Sequence, residues 1–197
     1  MSDGYVNPWW QSVLLPDKWD VCGVEILTMS VWHSYALHNL KNPYVYGGAR
    51  NQDAAANLLL FCQRDFSGGR RLYLDPNART DAITAINKRI LSLKFDELDV
   101  ACEDYCLACT RTPEHSRPTG KDKGKPMSAP AHWHIVLCLC DHYGKTESEA
   151  WNTHYAKARC AYDTWRESKG DESLVSVDLQ MRNDESEEKK MTEGKEI

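Results

Sequence analysis

The chain has no continuous apolar run of the roughly 18 residues that a membrane-crossing helix needs, so no spanning segment is expected. It has no HExxH, no nucleophile elbow and no GxGxxG, so the usual signatures of zinc peptidases, α/β-hydrolases and dinucleotide binders are missing. Gly120–Lys125 (GKDKGK) has the lysines of a phosphate loop. It lacks the four-residue spacer and the Ser/Thr after lysine, and Pro126 follows. Positive charge is in deficit: 24 Lys and Arg stand against 29 Asp and Glu, a net charge of −5. Basic residues gather only in Arg111–Lys125. Nucleic acid is therefore a disfavoured partner, because sequence-independent binding needs a clustered basic surface. Met1–Asp20 lacks the basic start and apolar core of a secretory leader. A cytoplasmic protein with reduced thiols is the expectation.

Phenylalanine is also scarce: three Phe accompany seven Trp and nine Tyr. Amphipathic aromatics of this kind serve interfaces as well as cores. Hydrophobic residues make up 42% of the chain and charged residues 27%, enough for a packed core.

Residues 1–20 read as an irregular aromatic arm with Trp9, Trp10 and Trp19. Residues 21–182 read as a helical domain, interrupted by a loop at 111–130 that holds four prolines and two glycines. Residues 183–197, rich in Glu and Lys without an apolar face, read as a disordered acidic tail. Within the domain, Val21–Thr28 is a candidate extended segment. A helix follows over Ser30–Lys41, stopped by Asn42-Pro43. Tyr44–Arg50 is expected to be a loop. Asn51 or Asp53 caps an Ala/Leu-rich helix running to Asp65, which Ser67-Gly68-Gly69 ends. A third helix starts at Asp75-Pro76 and buries Ile83, Ile86, Ile90 and Leu93. The fourth is Asp96–Thr110, whose early acidic residues suit the helix dipole.

Trp133–Tyr162 predicts two more helices. Gly144 ends the first, and Thr146 with Glu149 has the spacing of a capping box for the second. Trp151, Tyr155, Ala158, Tyr162 and Trp165 then fall at steps of 4, 3, 4 and 3, one face of a helix. The fold class expected is all-α, built of antiparallel helix pairs. Any amphipathic helix buries a side. A stripe with two Trp and two Tyr also exceeds what a small core consumes, which makes Trp151, Tyr155, Tyr162 and Trp165 candidate partner-binding residues.

The chemical alternative is zinc. Cys102, Cys106 and Cys109 lie close together, with His132, His134, Cys138, Cys140 and His142 further on, and tetrahedral zinc takes four such ligands. Against it, Leu98, Cys102, Tyr105, Cys106 and Cys109 share one helix side, where cysteine packs as a small hydrophobe, and no second CxxC exists. His33, His38, His132 and His134 read as surface or capping residues. No cofactor and no enzymatic activity are expected, since no constellation of nucleophile, base and orienting group is visible.

Two stretches together resemble the tail assembly chaperones of tailed bacteriophages. In Gly23–Cys62 a glycine-apolar turn precedes Met29-Ser30 and a helix to Leu40, followed by Asn42-Pro43, a Gly-bearing loop and the helix DAAANLLLFC. In Trp133–Tyr162, Trp133 opens an apolar helix, Gly144 closes it, and SEAWN at Ser148–Asn152 leads into an Ala/Tyr helix. The resemblance implies a small, helical, non-enzymatic protein of the host cytoplasm. It also implies binding to the tape measure protein, whose long apolar helices it keeps soluble during tail assembly. A homo-oligomer stays open beside that partner.

Overall fold

The computed structural model describes residues 14–112 and 129–169. The expectations for most of the aromatic arm, for the basic stretch 113–128 and for the tail lie outside these residues. Among the described residues, nine helices and one two-stranded hairpin form an all-α domain, as the helical periodicity predicts.

The hairpin corrects the reading of the N-terminal region. Strand β1 (Lys18–Val21) begins inside the segment expected to be irregular, and pairs antiparallel with β2 (Val24–Leu27), which lies within the expected extended segment. Cys22 and Gly23 both take positive φ, 51° and 81°, which gives the two-residue turn whose twist matches paired strands. Val21, Val24 and Ile26 are buried. Trp19 donates its indole N–H to Thr28 Oγ1 at 2.8 Å and meets Tyr105 edge-on at 5.7 Å.

Helix α1 (Val31–Asn39) follows, capped by Ser30. A single turn, α2 (Pro43–Tyr46), is capped by Asn42 and occupies part of the expected loop. Helix α3 (Gln52–Cys62) starts at the Asn51 cap and stops three residues short of Asp65. It is buried almost all round, from Ala54 to Cys62, as a helix apolar on every side must be. Helix α1, helix α3 and the hairpin therefore form the centre of the core.

Ser67-Gly68-Gly69 does not end that helix. Asp65 caps a new one, α4 (Phe66–Leu74), by accepting the Gly68 N–H at 2.9 Å. The glycines sit in its first turns. Helix α5 (Pro76–Ile90) begins at Asp75 and buries Ile86 and Ile90. Asn87 near its end donates to Asp53 Oδ1 at the start of α3, 2.7 Å away, so α3 and α5 run antiparallel. Helix α6 (Phe95–Thr110) buries Leu98, Cys102, Tyr105, Cys106 and Cys109, and Tyr105 Oη donates to Leu27 O at 2.7 Å.

Helix α7 (Ala131–Tyr143) ends at Gly144 in the left-handed conformation, φ 65°. Thr146 and Glu149 form the predicted capping box of α8 (Glu147–Asn152). There the continuous second helix fails. The chain turns extended at Thr153 and His154, and α9 (Tyr155–Ser168) starts afresh. The cause is tertiary. Val31 N donates to Thr153 O at 3.0 Å and Tyr155 N donates to Met29 O at 2.8 Å. This short antiparallel bridge between Ser30 and His154 satisfies helix-terminal N–H groups that would otherwise lack acceptors. Because α8 folds back, α9 runs parallel to α7. His132 meets Tyr155 at one end (5.9 Å), and His142 stacks on Trp165 at the other (4.9 Å).

Candidate functional site: an aromatic cluster and an adjoining cleft

The break at Thr153-His154 divides the aromatic stripe. Trp151, on α8, is 2% exposed. Its ring stacks on Phe66 at 5.8 Å and meets Trp133 and Trp32 edge-on at 5.2 and 6.1 Å. Trp32 in turn touches Phe66 and Tyr73 edge-on, at 5.3 and 5.6 Å. Trp151 is thus part of a core cluster joining α1, α4, α7 and α8, and its surface is already covered.

The other three aromatic residues of the stripe lie on α9 and stay half-buried. Tyr155 faces His132. Tyr162 and Trp165 stack at 5.9 Å, and the Arg166 guanidinium lies over Tyr162 at 5.7 Å. The Trp165 indole N–H has no hydrogen-bond partner among the described residues. Further apolar surface lies on α6, at Val100 and Leu107, and on α7, at Leu137.

Cys102, Cys106 and Cys109 lie on the buried side of α6, against Cys62 of α3. Burial pushes the Cys102 thiol up to about 12 and that of Cys109 up to about 11, and raises Cys62 and Cys106 as well. Metal-binding thiols have the opposite tendency. Among the described residues, no group of three or more His, Cys, Asp or Glu is placed to hold a metal ion.

The acidic start of α6 does more than complement a dipole. Asp99 accepts the Tyr44 hydroxyl at 2.6 Å, and Arg50 reaches Glu103 at 2.7 Å and Asp99 at 3.6 Å. Arg50 also lies over the Tyr44 ring at 5.2 Å. This network fastens the chain around α2 to α6.

Beside it opens a cleft of about 430 Å³. Helix α1 gives it Ser34 and His38, α2 gives Tyr44 and Val45, and the end of α6 gives Thr110 and Thr112. His132 of α7, with Tyr155 and Arg159 of α9, completes the lining. His132 Nε2 lies 3.0 Å from Ser34 Oγ. Burial, with His38 and Arg159 nearby, lowers the His132 pKa to about 4, so the ring is neutral at pH 7. Arg159 Nε donates to the fully buried Asp163 at 3.1 Å.

His132 and His33 correct the reading of surface histidines. His33 is 1% exposed, although it does cap: its Nδ1 accepts the Ser30 N–H at 3.0 Å. The cleft itself escapes sequence reading. Ser34 and His132 are 98 positions apart, and Arg159 resembles any other arginine of an amphipathic helix. The HxH at His132–His134 is the one local hint.

No family model matches the chain, and no curated protein and no solved structure matches it.

Proposed function

We propose that the chain is a tail assembly chaperone of a tailed bacteriophage, acting in the host cytoplasm as a non-enzymatic binder of the tape measure protein. The observation that carries this reading is the half-buried aromatic surface at the end of α9. Tyr162 and Trp165 keep ring surface uncovered by the described residues. Such a surface suits the apolar side of a long client helix, as in helix-in-groove recognition. The resemblance adds support through its punctuation. Asn42-Pro43, the Asn51-capped DAAANLLLFC, Gly144 and SEAWN all fall at or within helix boundaries. Client contact is assigned to Tyr162 and Trp165; Tyr155, at the other end of α9, turns to His132 instead, and Trp151 holds α8 in place from the core.

Co-expression with a candidate tape measure protein, a long helical protein encoded near this gene, tests the proposal. The expected result is a rise in that protein's soluble yield and a complex on size exclusion. Tyr162→Glu with Trp165→Glu should abolish both while circular dichroism stays unchanged. No gain from the wild-type chain would end the chaperone reading.

A further inference from the structure

The cleft between α1, α2, α6, α7 and α9 has no part in client binding as proposed above, and its chemistry is specific. Its volume, about 430 Å³, is that of a small-molecule site. Among the described residues no carboxylate lines it, and Arg159 brings a permanent positive charge to its wall. That guanidinium is held rather than free to swing, since its Nε–H is fixed on buried Asp163. Tyr155 is a second neighbour of the guanidinium, and a guanidinium fork matches the two oxygens of a carboxylate. Ser34, Thr110 and Thr112 line the same cleft, the Ser34 hydroxyl paired with His132 and the Thr110 hydroxyl with Cys106 O.

Two further features favour a negative group. Helices α7 and α9, of 13 and 14 residues, both begin at the cleft, with His132 and Tyr155 in their first turns. The start of α7 has no side-chain cap, so the positive end of its dipole lies at the cleft; at α9 the Tyr155 N–H is already taken by Met29 O. The rest of the wall is ring surface. His38 and His132 have centroids 6.1 Å apart, and His132 and Tyr155 are 5.9 Å apart. Imidazole and phenol faces suit a planar ring better than a flexible chain.

We propose that this cleft is a binding site for a small aromatic carboxylate, its carboxylate on Arg159 and its ring against the wall formed by His38, His132 and Tyr155. The assignment stands apart from the chaperone reading and needs no client.

Benzoate is the probe, titrated into the full chain and followed by the His132 imidazole signals in a nitrogen-correlated NMR spectrum. Saturable binding is expected with a dissociation constant on the order of 1 mM or tighter, as befits so small a ligand. Benzamide, the neutral analogue, should bind at least about tenfold more weakly. Arg159→Lys keeps a charge for Asp163 but loses the fork, and should weaken benzoate by about tenfold. His38 is exposed, so His38→Glu leaves the core untouched. It places a carboxylate at the mouth and should weaken benzoate by a similar factor. The proposal fails if no saturable shift appears by about 10 mM, or if benzamide binds as well as benzoate. It also fails if both variants bind benzoate like the wild type, or if a short peptide with a free C-terminus binds there more tightly than benzoate.

Discussion

Gly69 lies so close to Trp32 that a Cβ on the glycine would stand 2.4 Å from the indole nitrogen. The indole cannot retreat, because Tyr35, Phe66, Tyr73 and Trp151 surround it at centroid distances from 5.3 to 6.1 Å. The glycine therefore gives space, not flexibility, inside helix α4.

Gly69→Ala is expected to destabilise the fold. An exposed helical Gly→Ala change gains up to about 1 kcal/mol, but overpacking a filled cluster costs about 1–3 kcal/mol. Gly68→Ala is the control. Its Cβ would meet Asp65 Oδ1 at 3.3 Å and Arg64 Cβ at 3.5 Å, contacts that a small side-chain shift relieves. Urea denaturation should place Gly69→Ala below Gly68→Ala by about 2 kcal/mol. Equal stabilities would mean that α4 sits further from Trp32 than described.

His33 predicts acid lability between pH 6.5 and 4. Burial lowers its pKa from 6.5 to about 4. The geometry adds a reason: Nδ1 accepts the Ser30 N–H, and the Nε2–H donates to Arg64 O at 2.6 Å. A second ring proton would set two donors face to face. The unfolded chain then binds more protons than the folded one through this window, so stability is full above pH 6.5 and falls as pH drops toward 4. For this one buried group the loss is on the order of 3 kcal/mol. His33→Gln keeps an S-x-x-Q capping box without a titrating ring. Its urea midpoint should fall less steeply from pH 7 to 4.5, with a residual slope from His132. Parallel curves would remove His33 as the cause.

Much of this fold is legible in the sequence because local chemistry decides it. Asn51 before DAAANLLLF, Asp75-Pro76, Gly144 and the Thr146/Glu149 box all mark helix boundaries through their own side chains or backbone. Two features are not legible, because distant residues decide them. Gly68-Gly69 reads as a stop, yet the pair is helical where Trp32 needs the room. Thr153-His154 carries no Gly or Pro, yet breaks a helix because Met29 and Val31 offer better hydrogen bonds across the fold. The candidate stripe is half legible for the same reason: the break sends Trp151 into the core and leaves Tyr155, Tyr162 and Trp165 on α9.

The cysteines should divide by reactivity. Cys22 and Cys140 are partly exposed, while Cys62, Cys102 and Cys109 are fully buried. Alkylation at pH 8 followed by mass spectrometry should mark Cys22 and Cys140 first. The buried set should react only as fast as the protein opens, since a neutral, inaccessible thiol is a poor nucleophile. Rapid labelling of Cys102 would contradict this packing. One zinc per chain in freshly purified protein, lost in the Cys106→Ser/Cys109→Ser variant, would restore the metal reading.

Asn152 should behave as a joint between α8 and α4. Its Oδ1 accepts the N–H of Phe66, the first residue of α4, at 2.7 Å. That N–H is one of the helix-terminal donors without an intrahelical acceptor, and the ring of the same Phe66 stacks on Trp151 one residue before Asn152. Asn152→Ala leaves the donor unpaired in a half-buried position and should cost about 1–2 kcal/mol. In a domain of this size that lowers Tm by roughly 2–8 °C. Asn152→Asp restores the acceptor. It also puts a negative charge at the C-terminal end of α8, where the dipole is unfavourable, so its rescue should be partial. Hydrogen exchange gives the decisive reading. The Phe66 amide should exchange faster in Asn152→Ala and return toward wild type in Asn152→Asp, while α3 amides change only by the global loss in stability. An unchanged Phe66 amide in the alanine variant would show that another group accepts it, and that α8 and α4 are held together by ring packing alone.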